Sequence, residues 1–276
     1  MKTLLKTLAV VACILASLPL LHGQNTTEIA GARLAAMSNS GSAETGVWQG
    51  FMNPAGILTE ESKWQAGASY VNRFGLSELS SRGLVASMPL GEGRVGLVVH
   101  SFGYSAFLQN QVSGSYAMKL APNLRAGLQI NYFSLNIAEG FGRYSAFTAN
   151  LGFQYDFNEN ISVGVTVRNP NRSQLNSEMQ QYVQSVIQGG AKFRVAENLL
   201  ILADLGKDLD QDPNLSTGLE YMPVEQWFIR GGISTLNRGV SFGFGYQPKK
   251  WSIDVASLYH QVLGFSPMIS FTYRNE

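Results

Sequence analysis

Cysteine is nearly absent: Cys13 is the only one in 276 residues. A chain so built has no disulfide framework and no paired-thiol chemistry. Charge is scarce too, at 14% charged residues with a formal net charge of +1. No basic stripe stands out against that balance, which argues against electrostatic binding of nucleic acid. Past the N-terminal segment no apolar run approaches the ~20 residues a membrane helix needs. Histidine is sparse, and beyond the N-terminal segment only His100 and His260 remain, far apart, so no metal-ligand spacing or Ser-His-Asp order emerges. The reading is therefore of a non-enzyme with neither metal nor cofactor. Gly91-Glu92-Gly93-Arg94-Val95-Gly96 matches GxGxxG, but a strand follows where a dinucleotide site requires a helix, so it reads as a hairpin turn.

What the chain does contain is ordered. Residues 1–23 read as a secretory signal: Lys2 and Lys6 precede an apolar run from about Leu8 to Leu21, with Gly23 before Gln24. The Val10-Val11-Ala12-Cys13 string lies ahead of most of that run and is not read as a lipidation box. Residues 24–62 do not alternate. Glu28 to Met37 has helical composition, and the small and turn residues after it predict a folded loop.

From residue 63 to the end, apolar and small or polar residues alternate in fourteen candidate strands, from about 63–72 to 265–274. Val240, Phe242 and Phe244 oppose Ser241, Gly243 and Gly245; after Gln247-Pro248-Lys249-Lys250, Trp251, Ile253 and Val255 oppose Ser252 and Asp254. A packed soluble core would receive the large groups, yet here strand after strand sets small or charged residues on one face. A membrane barrel resolves this, with apolar groups against lipid and small or polar ones toward the lumen. Tight connections such as 91–93, 121–123, 157–160, 196–198, 223–226 and 247–250 take turns with longer ones, predicting short periplasmic turns and longer outer loops. Trp64, Tyr155, Tyr221, Trp227, Tyr246, Trp251 and Tyr273 gather at the turn end as an interfacial girdle. The fold class is thus all-β, a single transmembrane antiparallel barrel of about fourteen strands spanning 63–276, with an N-terminal plug at 24–62.

Inside such a barrel the alternation places Arg125, Arg168, Lys192, Arg194, Glu220, Arg230 and Asp254, expected to pair with one another or with the plug because an unpaired charge in a partly dry lumen is costly. In the longest outer loop, Leu175, Met179, Tyr182 and Val186 share a helical face and predict a short amphipathic helix that covers the mouth, with gating of hydrophobic ligands or docking of a partner as the functional alternatives.

The stretch before the first strand carries Gly31-Ala32-Arg33 and, after a run of small residues, Asn53-Pro54-Ala55-Gly56. It resembles the N-terminal region of the FadL superfamily of outer-membrane transport barrels, in particular the PorV/PorQ-like branch common in the Bacteroidetes. The resemblance implies a fourteen-stranded barrel whose N-terminal segment folds into the lumen as a hatch. It also implies residence in the outer membrane of a Gram-negative bacterium. The function implied is passage of hydrophobic compounds or service in type IX secretion, and the partners are outer-membrane lipid, a hydrophobic small molecule, and secretion components or cargo. The chain is shorter than typical members of either kind, so the competing expectation is a structural or interaction barrel without a transported ligand, and a third is an exported soluble β-protein.

Overall fold

The computed structural model describes residues 30–60, 62–138, 142–176, 181–235 and 239–275. Fourteen antiparallel strands close into a barrel: β1 Trp64–Asn72, β2 Ser80–Leu90, β3 Gly93–Tyr104, β4 Phe107–Ala121, β5 Leu124–Ile137, β6 Gly142–Asp156, β7 Ile161–Arg168, β8 Val186–Ala196, β9 Leu199–Asp208, β10 Asn214–Val224, β11 Trp227–Ser234, β12 Gly239–Tyr246, β13 Trp251–His260 and β14 Gly264–Asn275. Each pairs with its neighbours in sequence, and β1 meets β14 with Trp64 opposite Asn275 and Val71 opposite Met268. Closure leaves no free edge around the wall, the condition a sheet must meet to hide its backbone from lipid.

The period of two decides which side chain meets which solvent. On β12, Val240, Phe242 and Phe244 are exposed while Ser241, Gly243 and Gly245 are buried, so the outer wall is the apolar one. Water is a poor solvent for such a surface, and it reads as lipid-facing. At the turn end, Trp227 lies tilted against Tyr246 (4.7 Å between ring centroids), Tyr246 meets Trp251 (5.4 Å), and Trp64 lies 5.2 Å from Tyr273. A second aromatic level lies outward, where Tyr132 meets Phe147 and Tyr259 meets Phe265, both at 5.0 Å. Trp251 to Tyr259 is eight residues, roughly 26 Å of strand, which a tilt of ~40° reduces to ~20 Å, near the ~25 Å apolar band of membrane barrels.

Two expectations change. The alternation of short and long links is not strict, because at the loop end only residues 105–106 separate β3 from β4. The long loop is not helical among its described residues. Gln174–Asn176 and Gln181–Tyr182 pair as a small ribbon, with Gln174 opposite Tyr182. Leu175 is buried against Phe133, Leu135 and Ala146, Tyr182 stays exposed under the Arg172 guanidinium (4.8 Å), and Val186 already belongs to β8; Met179 lies outside the described residues. The cause is tertiary: an apolar seat inside the mouth takes Leu175. Asn169, at φ +46, ties the loop base by accepting from the Ser173 N–H (2.9 Å) and donating to the Val183 carbonyl (2.7 Å).

Candidate functional site

The lumen is filled by the segment ahead of β1. It begins with a short helix, α1 (Gly31–Ala35), and continues through two 3-10 turns, Val47–Phe51 and Pro54–Ile57. The helix predicted over 28–37 is shorter than its composition suggests, since Ser38 and Asn39 leave helical space at φ 54 and 53; residues 28–29 lie outside the described ones. Gly31 sits at φ +72 against the Trp48 ring, where a Cβ would come within 2.7 Å of an indole carbon, so only glycine starts the helix there.

Inward-facing polar residues receive the segment's backbone. The Ala32 N–H donates to Ser270 Oγ (3.0 Å), the Ser38 N–H to Ser241 Oγ (2.9 Å), and Ser241 Oγ in turn donates to the Ala36 carbonyl (2.9 Å). Asp204 Oδ2 accepts from the Gly41 N–H (3.0 Å), the Ser42 N–H (2.9 Å), Ser42 Oγ (2.6 Å) and Gln188 (2.9 Å). On the other side, the Trp48 indole N–H donates to Thr272 Oγ1 (2.9 Å). The wall accommodates this chain by omitting side chains. A Cβ on Gly127 would come within 2.4 Å of Pro54, one on Gly152 within 2.0 Å of Asn53, and one on Gly218 within 2.3 Å of Met37.

Asn53 is fully buried and joins turn, plug and wall. Its amide donates to the Ser42 carbonyl (2.7 Å) and the Phe153 carbonyl (3.2 Å), and its oxygen accepts from the Ala55 N–H (3.1 Å). Pro54 opens the second 3-10 turn, and at Gly56 any Cβ would lie 2.5 Å from the Glu44 carbonyl oxygen. Asn53→Ala strands the Ala55 N–H and costs about 1–3 kcal/mol of plug seating. Asn53→Asp costs more, because an acceptor replaces the donor facing two carbonyl oxygens. Limited proteolysis of the N-terminal segment should rank wild type, Ala and Asp in rising susceptibility; equal susceptibility of all three refutes the ranking.

The charged residues divide among several positions. Arg33 Nε and Nη2 take both Glu220 oxygens (2.8 Å each) while Nη1 reaches Glu44 (2.6 Å), which also faces Lys192 (3.5 Å). Glu220 in turn binds Arg230 Nε (2.5 Å), and Arg230 Nη1 binds Asp254 (2.8 Å). Three carboxylates thus meet three cations in one connected network that ties plug to wall. Burial alone would lower the Arg33 pKa, but Glu220 and Glu44 outweigh it and hold it well above the usual arginine value. Arg125 stands apart, paired with Asp156 (2.6 Å) near the turn end. Arg168 bonds Gln188 (3.4 Å), and Arg194 borders a cavity of about 80 Å³ beside Arg33, Glu44 and Phe228, room for a few waters.

Sequence reasoning passed over Asp204, Glu44 and Trp48. Asp204 had a readable signal, an acid following Leu200 and Leu202 on one face of β9; nothing local marks the others. Among the described residues no group of three or more metal-ligating side chains gathers, and no helix is long and apolar enough to cross a membrane.

No family model and no curated protein matches the sequence. Solved structures do share the fold. The CymD monoaromatic hydrocarbon channel superposes with a TM-score of 0.73 at 12% identity, covering 91% of this chain and 99% of its own. The Ralstonia pickettii toluene transporter TbuX gives 0.70 at 13%, with 91% and 100% covered. A Pseudomonas aeruginosa FadL homologue gives 0.59 at 12%, with 86% and 96% covered.

Proposed function

We propose that this chain is an outer-membrane barrel of a Gram-negative bacterium, exported by the signal at residues 1–23, through which small hydrophobic compounds pass when its plug shifts. The observation that carries the reading is a lumen closed by a hydrogen-bonded segment of the same chain inside an apolar-walled barrel. A purely structural barrel has no need of a stopper held by so many polar contacts. The fold shared with barrels described as hydrocarbon channels and toluene transporters supports it.

Uptake of radiolabelled toluene into proteoliposomes tests this directly. The protein should raise the initial rate above protein-free vesicles, and a variant whose plug is destabilised should raise it further. Equal rates with and without protein would sink the passage reading.

A second reading, an accessory role in type IX secretion of the PorV/PorQ kind, draws support from Gly31-Ala32-Arg33 and Asn53-Pro54-Ala55-Gly56 and from the tightly filled lumen. For this reading the expected result is co-purification of a secretion component or cargo with the intact barrel, with no toluene flux.

A further inference from the structure

Above the plug, toward the loop end, one arginine lacks the carboxylates that hold Arg33 below. Arg73 follows β1 in an outer turn, and its guanidinium lies over the Phe102 ring at 5.5 Å. Its Nε and Nη2 are buried without a hydrogen-bond partner. Those two N–H groups form one edge of the guanidinium plane, the fork that a carboxylate grips with both oxygens. His100, one turn of the pleat deeper on β3, is 3% exposed, and its Nε2 also has no partner. Beneath it the plug's Phe51 packs edge-on against the imidazole, 5.9 Å between centroids.

The contrast with Arg33 is informative. Arg33 is flanked by two carboxylates, whereas Arg73 takes part in none of the ion pairs among the described residues. Burial with no compensating anion lowers the Arg73 pKa to about 10. Ordered water would satisfy its N–H groups but not its charge, and holding a cation without a counter-charge at a half-buried position is costly. An anion from outside removes that cost. The fork edge by itself matches the two oxygens of a carboxylate better than the greater charge and third oxygen of a phosphate, and His100 lies near enough to feel the Arg73 charge. The surroundings specify the rest of the ligand. Phe102 and Phe107 meet at 6.4 Å in a T-shaped pair, and Phe107 continues into the buried cluster of Phe133, Leu135 and Leu175. Rings of this kind favour another ring at their faces and edges. Gln111, opposite His100 in register, has a buried carbonyl oxygen with no donor, which suits a ring hydroxyl and not the carboxylate.

We propose that Arg73 and His100 form a carboxylate site at the outer mouth of the lumen, selecting small aromatic acids whose ring lies against Phe102 and Phe107. This rests on the reading of the lumen as a passage for hydrophobic compounds and narrows it to a charged class that a bare apolar channel would reject. Because Phe51 belongs to the plug and touches His100, a ligand seated there bears directly on the closed segment.

The test is isothermal titration of the purified full-length barrel in detergent with benzoate, acetate, octanoate and toluene. Benzoate should bind saturably and more tightly than acetate, which lacks the ring, or octanoate, which has no aromatic face. Arg73→Gln should weaken benzoate by roughly tenfold or more, and Arg73→Lys, which keeps the charge and loses the fork, should fall between. His100→Phe, which keeps the ring against Phe51, should weaken benzoate. Heat-shifted gel migration establishes that each variant is folded. Unchanged benzoate affinity in Arg73→Gln, or no saturable benzoate binding by wild type, overturns the site; octanoate binding tighter than benzoate overturns the aromatic class. Toluene uptake without benzoate binding refutes the site alone, and Arg73-dependent benzoate binding without toluene uptake refutes the neutral-compound passage alone.

Discussion

Glu220→Ala is expected to release the plug while leaving the barrel closed. Glu220 accepts from Arg33 on the plug and from Arg230 on the wall, so its loss takes one of two carboxylate partners from each. The network then retains Glu44 and Asp254 against Arg33, Lys192 and Arg230, an excess of one positive charge among largely buried groups. Removing one partner of a buried pair typically costs about 3–5 kcal/mol. The wall does not bear this cost equally, because β10 keeps its ladders to β9 and β11. A reporter cysteine at Ser40, which is fully buried, detects the result in a chain whose Cys13 has been replaced. Maleimide labelling limited by opening should accelerate on the order of 10²- to 10³-fold. Glu60→Ala supplies the control: its pair with Lys119 is solvent-exposed, and such pairs contribute little. Equal labelling rates in the two variants would show that the network does not hold the plug.

The barrel was legible because its two solvents differ so sharply. Alternation of Val240, Phe242 and Phe244 with Ser241, Gly243 and Gly245 survives any uncertainty about neighbours, and the fourteen strands read from it lie within two residues of those observed. The outer loop was not legible for the opposite reason. Leu175, Tyr182 and Val186 fit a helical face, yet a single tertiary event, the seating of Leu175 on Phe133 and Ala146, outweighs a weak local preference. The interior charges fall in between. Parity alone sets Glu220, Arg230 and Asp254 on inward-facing positions, but their partners come from strand register and from Arg33, 187 residues from Glu220. Arg73 carried no local signal at all, since its environment is made by Phe102 and His100 across the β2 hairpin.

The glycines carry a different message from the turn glycines of ordinary sheets. Gly83, Gly96, Gly127, Gly152, Gly164, Gly218, Gly232 and Gly243 all face inward where a Cβ would meet the plug or the side chains that touch it. Glycine weakens a strand, so placing it on so many of them is costly unless another chain needs the room. The lumen's shape is therefore set by absent side chains, and Gly245, whose Cβ would meet Arg230 and Asp254, extends the same rule to the ion network.

Gly164→Val should accordingly be the most damaging small substitution for plug seating. A Cβ there would lie 2.0 Å from the Ser42 carbonyl oxygen and 3.0 Å from the Ala43 Cα, backbone atoms that no rotamer change can clear. Either β7 or the plug has to move by an ångström or more. β7 is held by its ladders to β6 and β8 and gains from valine's strand preference, so the plug yields. As it moves, Ser42 and Gly41 leave Asp204, and a buried carboxylate loses three of its four donors. That desolvation penalty adds to the overpacking cost of about 1–3 kcal/mol. The expected result is a barrel that keeps its heat-dependent gel shift while the Ser40 reporter labels fast and toluene uptake rises. Gly114→Val, on the same wall with nothing within 4 Å of its Cβ, should change neither. If Gly164→Val labels no faster than Gly114→Val, the plug is not seated against β7, and the closed lumen loses its explanation.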